Sequence, residues 1–477
     1  MYAGDTIHYT LASCREMALT KGASQRAAEE ELKAAEYTRK AALAAYFPKV
    51  SANGSYMWNS RKAHLLADQT QFDFGTAGID ANGTPYFQWS ENSSLSQLAK
   101  DLEFIPFLQE PIKNLQNDAG QRIANTYQQL YDKLTIDLTH VVVAQVGITQ
   151  PIYTGGRITQ AYKIAHAAEH IAALRLAHKH DEIIVSVDEA YWRVVAVKQK
   201  KELADNYYQL LCKLDSDVVE LVKEGLATQS DLLKVHAKKS DAEVKKLQAD
   251  NGLVLSRMAL AQVCGMPLGE IFTLDESGLA ETPIAPTTIN ADELVEGRSE
   301  LQIARETEKI AHSSRKLASA GLQPTIIASA GYIYTNPYAE NGVSNDWHSH
   351  GFFSAGVVVN VPIAHADDIL RYKAAKHAAN AATLKADETR DLLILQTTQA
   401  QQKLMEAQQK IALAQLSCKN AEEVLRMAEE SFEAGLIPSS DLMQAQTAWL
   451  SAASDLVDAQ TEAKVNETRL QQYCGKL

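Results

Sequence analysis

The phrase "EGLATQSDLL" at 224–233 returns as "AGLIPSSDLM" at 434–443, 210 positions later. Gly225 and Gly435, Leu226 and Leu436, Ser230 and Ser440, and Asp231 and Asp441 all obey that offset. The register holds without a gap as far as Gly265 and Gly475, and the identities concentrate at the two ends. A chain that repeats itself at fixed spacing is built from two copies of one structural unit. That restricts 477 residues to a small set of architectures.

The repeat reaches further back with shifted offsets. "LTHVVVAQVGITQPIYTGGRI" (138–158) answers "HGFFSAGVVVNVPIAHADDI" (350–369), with Pro151 against Pro362. "RKAALAAYFPKVSANGSYMW" (39–58) answers "RKLASAGLQPTIIASAGYIY" (315–334), with Pro48 against Pro324. The separations are 211 and 276, so the first half carries about 65 extra residues between Trp58 and Leu138. Each half then reads helix, strand, loop, strand, very long helix, tight turn, long helix.

The strands alternate with period two. Val50, Ala52, Tyr56 and Trp58 share one face, against Lys49, Ser51, Asn53 and Ser55 on the other. The repeat partner keeps Ile326, Ala328, Ala330, Tyr332 and Tyr334 on one face. In the second pair, Val142, Ala144, Val146 and Ile148 correspond to Phe353, Ala355, Val357 and Val359. An antiparallel sheet on a soluble core uses such alternation, and so does a membrane β-barrel. Two points favour the barrel: the apolar faces are modest, and the intervening helices are far too long to cover one small sheet. Tyr56, Trp58, Tyr332 and Tyr334 stand where an interfacial aromatic girdle is required.

The helices expected at about 156–224 and 368–433 would each span roughly 100 Å at 1.5 Å per residue. Their Ala, Gln, Glu and Lys content, with apolar residues at coiled-coil spacing, suits a thin-walled tube better than a thick globule. Only 12 prolines and 23 glycines interrupt the chain. No apolar run approaches the roughly 20 residues of a membrane helix. The charge of −13, with no dense basic stretch, argues against a nucleic-acid partner. The start lacks a charged stretch followed by an apolar one, so the chain is either cytoplasmic or numbered from after a removed signal peptide.

The expected layout is a first-half helix (1–47), transmembrane strands (48–58 and 138–152) and an extracellular insertion (59–137), which is either solvated loop decoration or a lid. A long hairpin (153–265) turns near 225–231, followed by a linker (266–290) that the family resemblance given below makes equatorial. The second half repeats this with a helix (291–322), strands (324–335 and 351–363), an extracellular loop (336–350) and a hairpin (364–477) turning near 435–441.

Other motifs carry less. "HAAEH" (166–170) has the two-histidine spacing of a zinc helix, but the repeat copy has His377 followed by "AANA", and solvated histidines are expected. "WHSH" (347–350) and "HADD" (365–368) offer ligands, yet the aspartates suit a helix start through the dipole. "LASC" ending at Cys14 resembles a lipidation box without the apolar stretch before it, so helix is expected there. The five cysteines have no zinc spacing, and Cys264 and Cys474 occupy equivalent helix ends. No metal site, cofactor or catalytic constellation is expected, and the chain is not an enzyme on this reading.

The "QPIYTGGR" strand-to-helix junction (150–157, with Pro151, Gly155 and Gly156), the duplicated Gly-Leu-x-x-x-Ser-Asp-Leu turns and the two-half layout resemble the TolC-like outer-membrane efflux family over essentially the whole chain. The second junction, at Pro362, has no Gly-Gly. The resemblance implies a mixed α+β membrane protein of a Gram-negative outer membrane, its signal peptide removed. It implies a homotrimer whose twelve-stranded transmembrane barrel, four strands per chain, continues as a periplasmic α-helical barrel. Four strands alone cannot close, and three chains supply twelve. The implied function is the exit duct of a tripartite system, with a periplasmic adaptor, an inner-membrane pump of the resistance-nodulation-division, ABC or major-facilitator type, and outer-membrane lipid as partners. Small toxic compounds are the expected cargo; a type I protein-secretion duct and a non-conducting coiled-coil scaffold are the alternatives.

The resemblance also gives the turns an address, the periplasmic tip where the duct closes and the adaptor docks. Its candidate residues are Gly225, Leu226, Thr228, Ser230, Asp231, Gly435, Leu436, Pro438, Ser440 and Asp441. The glycines end one helix in the left-handed conformation, and Ser230, Asp231, Ser440 and Asp441 are expected to cap the next. Where the family pattern carries an Arg and a further acid, this chain has Ile437 and Gln444. Closure by packing and rings of Asp231 and Asp441 is therefore expected instead of a salt-bridge lock.

Overall fold

The computed structural model describes residues 7–101, 106–281, 289–339, 347–363 and 365–476. Strand β1 (Ile7–Tyr9) precedes helices α1 (Leu11–Lys21) and α2 (Ala23–Ala44). Then come β2 (Lys49–Trp58), β3 (Ala63–His64), β4 (Gln69–Phe72), β5 (Gly75–Ile79) and β6 (Pro85–Trp89). Helices α3 (Ser94–Asp101) and α4 (Pro106–Lys133) and strand β7 (Thr135–Ile136) lead to β8 (His140–Thr154). The hairpin α5 (Arg157–Lys223) and α6 (Gln229–Cys264) is followed by β9 (Phe272–Leu274), α7 (Ala291–Val295) and α8 (Ser299–Ser319). Strands β10 (Thr325–Ala339) and β11 (Trp347–Asn360) precede the hairpin α9 (Ala366–Glu433) and α10 (Ser439–Tyr473).

One compact unit joins Met1–Ala44, Gly156–Leu322 and Ala364–Leu477. Its two hairpins are nearly equal: α5 and α9 have 67 and 68 residues, α6 and α10 have 36 and 35. Ala204, Tyr207, Leu211, Leu214 and Val218 of α5 are buried at alternating steps of three and four. Leu393, Thr397, Ala400, Leu404, Ala407 and Ile411 of α9 do the same. That is the coiled-coil seam, which covers one stripe and leaves the rest wet.

A thicker core forms around Tyr191, Trp192, Leu260, Phe272 and Leu279, where β1 pairs in parallel with β9. Tyr191 donates its hydroxyl to the Asp275 carbonyl at 2.7 Å. The fully buried Asp188 of α5 accepts from Arg15 Nε of α1 at 2.7 Å and from Thr468 Oγ1 of α10 at 2.7 Å. One carboxylate thus fastens three helices. Cys14 is also buried here, within α1, as the helical expectation for "LASC" requires.

The other unit joins Ala45–Gly155 and Gln323–Ile363. Its main sheet is antiparallel, in the order β11-β10-β8-β2. Residues of one parity align across all four strands: Val50, Ile148, Ala330 and Ala355 form one row, and Ala52, Val146, Tyr332 and Phe353 the next. The opposite face holds rows such as Lys49, Thr149, Ser329 and Gly356. Strand β8 runs on past 152 to Thr154, because a register shift opposite Ile326 and Ile327 leaves Ile152 out of the ladder beside Pro151.

Two expectations change here. The loop at 336–350 is shorter than expected, since β10 runs to Ala339 and β11 begins at Trp347, so "WHSH" is strand. A register shift between Thr335 and Tyr338 accommodates Pro337. Residues 340–346 of that loop lie outside the described residues. The insertion is also more than solvated loop: β4, β5 and β6 form a sheet against α4. Trp89 Nε1 donates to the Gln116 carbonyl at 3.1 Å, and the buried Tyr127 donates to the Ala67 carbonyl at 2.5 Å.

Candidate functional site

The two echoed turns come together because the hairpins that carry them share one core. Tyr207, Leu211, Leu214, Val218, Leu232 and Val235 of the first hairpin pack with Leu425, Leu442, Met443 and Ala445 of the second. Tyr207 Oη and Thr447 Oγ1 lie 3.3 Å apart across this seam, and Lys213 Nζ reaches Glu433 Oε1 at 3.1 Å on its wet rim.

Each first helix stops in the same way. Gly225 and Gly435 have φ of 77° and 67°, the left-handed region that only glycine enters without strain. Leu226 N donates to the Leu221 carbonyl at 2.8 Å, and Leu436 N to the Ser431 carbonyl at 2.9 Å. Those bonds, with Gly225 N to Val222 O and Gly435 N to Phe432 O, make a Schellman close. The chain then turns with Leu226 and Leu436 in solvent, 72% and 78% exposed.

The second helices start differently: Asp231 joins in capping as expected, though from inside the helix, and in neither start is the N-cap residue one of the expected serines or aspartates. The N-cap of α6 is Thr228, two residues before Ser230. Its hydroxyl accepts from Asp231 N at 3.2 Å, while the Asp231 carboxylate accepts from the Thr228 hydroxyl at 2.7 Å and its amide at 3.4 Å. Asp231, the third residue of the helix, thus closes a capping box with Thr228. Hydrogen bonds from Thr228 and then Lys234, whose ammonium lies 3.1 Å away, hold its carboxyl below the usual carboxylate range. In the second turn the N-cap is Pro438, which has no side-chain acceptor and makes no cap bond. Ser440 donates its hydroxyl to Asp441 Oδ1 at 3.1 Å and leaves the backbone alone. Ser440, Asp441 and Gln444 are exposed, whereas Ile437 is half-buried.

In the sheet unit, Tyr56, Trp58, Tyr332 and Tyr334 point to one parity but occupy different rows. Tyr332 packs edge-on to Phe353 with centroids 5.0 Å apart, and Gly351 leaves room for its hydroxyl end. Tyr56 Oη lies 2.8 Å from His140 Nδ1, a partner sequence reasoning missed because His140 precedes the apolar run. At the first junction Gly155 and Gly156 take φ of 65° and 80°, and Gly156 caps α5. At the second, Pro362 leads to the N-cap His365, whose φ of −84° needs no glycine. His365, Asp367 and Asp368 bring ligand atoms within 4.8 Å of one another there, at a helix start that favours the aspartates by itself. In "HAAEH" the glutamate, Glu169, is held by Arg39 at 2.5 Å, and the exposed His166 and His170 rings lie 4.5 Å apart.

A sequence model of the family described as outer membrane efflux protein matches residues 121–266 and 290–476. No curated protein matches by sequence. Among solved structures, the CmeC outer membrane channel of Campylobacter jejuni is similar with a TM-score of 0.71 and 12% identity, covering 98% of this chain and 85% of its own. A membrane protein from Pseudomonas aeruginosa gives 0.72 and 14%, over 98% and 92%. The outer membrane protein VceC of Vibrio cholerae gives 0.68 and 16%, over 98% and 96%. At such identities these likenesses establish the fold, which mixes α and β elements.

Proposed function

This chain belongs to the outer membrane efflux protein family, and from that premise we propose that three copies form a duct, closing a twelve-stranded barrel in the outer membrane above a periplasmic helical tube. The duct is the exit of a tripartite efflux system, fed by an inner-membrane pump through a periplasmic adaptor. The observation that carries the proposal is the four-stranded sheet. Every residue of β2 is exposed, and among the described residues β2 and β11 are the sheet's edges, each paired on one side only. Val50, Val146, Phe353, Val357 and Val359 all stand more than half exposed on one face.

Such a sheet is an aggregation hazard in water, because two long edges and an apolar face await partners. Lipid satisfies the face, and a neighbour on each side satisfies the edges. Closure with two further copies does both at once, and the internal repeat supplies two strands from each half. The helices extend the wall of the duct, with the tips of both hairpins at its far end. Three chains bring six turns around one opening, where Leu226 and Leu436 offer apolar contacts to the adaptor's helices. Cargo is small molecules handed over by the pump, so the duct itself needs no catalytic group.

Fractionated membranes and the mass of the detergent-extracted protein test this reading. The expected result is a trimer in the outer membrane, and a soluble monomer overturns it. Leu226→Asp with Leu436→Asp is expected to abolish adaptor capture while leaving the trimer intact.

A further inference from the structure

We propose that Cys14 and Cys264 are joined by a disulfide that fastens α1 to the end of α6. The proposal rests on the outer-membrane reading, because that destination carries the chain through an oxidising compartment where disulfides persist.

The two thiols, free in this structure, are fully buried in one core cluster, and their mutual influence draws the Cys14 thiol down and pushes the Cys264 thiol up. The chain is fixed on both sides of each of them. Before Cys14, Ile7–Tyr9 pairs in parallel with Phe272–Leu274, and Tyr9 Oη donates to Glu270 Oε1 at 3.0 Å. Beyond Cys14, the Lys21 main chain lies against Gly265, so close that a side-chain carbon there would sit 3.3 Å from the Lys21 carbonyl oxygen. Helix α1 is therefore held against the end of α6 by contacts that do not involve either sulfur. The other cysteines have different surroundings: Cys418 donates to Glu422 at 3.6 Å, and Cys474, the repeat counterpart of Cys264, packs beside Ala400, Leu404 and Leu470.

The co-reactant is a dithiol–disulfide carrier of the oxidising compartment. One cysteine, as thiolate, attacks the carrier disulfide and releases one carrier sulfur as a thiolate. The other cysteine then displaces the second carrier sulfur from the mixed disulfide. The carrier's S–S bond is exchanged for that between Cys14 and Cys264, and two electrons and two protons pass to the carrier. The hydrogen bond to Cys14 and burial push the folded Cys264 thiol up, away from the thiolate form. Both sulfurs are fully buried once α1 is docked, out of a carrier's reach, so the exchange occurs before α1 docks and the finished bond is shielded from reductants.

The test uses the full chain from outer membranes, acid-quenched, denatured and labelled with maleimide-polyethylene glycol. Of five cysteines, Cys212, Cys418 and Cys474 are expected to label without reductant, and all five after reduction. Peptide mass spectrometry should give Cys14 linked to Cys264, and Cys14→Ser or Cys264→Ser should label four times with or without reductant. Five labels without reductant in an outer-membrane trimer, or any other pairing, overturns the disulfide and leaves the duct standing. A chain found outside the outer membrane overturns the duct instead. The thiol pair is then decided by refolding the purified chain with glutathione disulfide: a Cys14–Cys264 peptide supports it and its absence overturns it.

Discussion

Gly225 and Gly435 turn the chain with backbone angles that a side chain resists, so each Gly→Ala exchange should cost about 1–2 kcal/mol, read as faster hydrogen exchange in the last turns of α5 or α9. Thr228→Ala should cost about 1 kcal/mol and loosen the start of α6, while α10, capped by Pro438, has no such bond to lose. The pH response follows the lowered Asp231 carboxyl. Its folded pKa lies below the unfolded one, so its contribution is complete above roughly pH 4 and fades as pH falls through the folded value. Amide exchange at 228–231 across that range checks the sign. The glycines were legible because left-handed residues leave few alternatives. The cap was not: Thr228, Ser230 and Asp231 are all good caps within four positions, and only the backbone angles at Thr228 select it. Asp188 was illegible for a related reason. Nothing in "SVDEAYW" distinguishes a buried aspartate until Arg15 and Thr468 arrive from α1 and α10. Arg15→Ala strands that carboxylate and should cost about 3–5 kcal/mol, measured against Arg15→Lys by urea unfolding.

Strands and helices were legible where periodicity was sustained. The period-two faces of β2, β8, β10 and β11 meet in shared rows because a half-turn per residue leaves no freedom once the register is set. The far ends of β10 and β11 were missed because "TNPYA" and "WHSH" do not alternate, and the ladder holds them through backbone bonds and a register shift. In the insertion the strands were missed because they and their aromatics acquire a period only against α4. The row structure makes a directional prediction. Val146→Arg, in the middle of the apolar face, should cost the inserted trimer about 2–4 kcal/mol. Its neighbour Gln145, on the other face, should accept arginine with little change. The temperature at which the trimer dissociates in detergent distinguishes the two.

At the largest scale the chain holds two long helical hairpins of nearly equal length and, on the proposed reading, a sheet that two further copies complete. The two hairpins and their glycine turns were readable from one echoed phrase, since register at a fixed offset survives where individual residues do not. Partners and closure belong to an assembly of chains, beyond what one sequence encodes locally. The tip differs between halves, Thr228 against Pro438 and Lys234 against Gln444, so the six turns of a trimer would alternate in character around the opening. Six aspartates there, from Asp231 and Asp441, would form an acidic constriction that selects cations. Single-channel recording of the purified trimer in a planar bilayer tests this most directly. Discrete, cation-selective current steps are predicted for the native chain, with larger and less selective steps for Asp231→Ala combined with Asp441→Ala. Inserted trimers that pass no current in either form would contradict the duct.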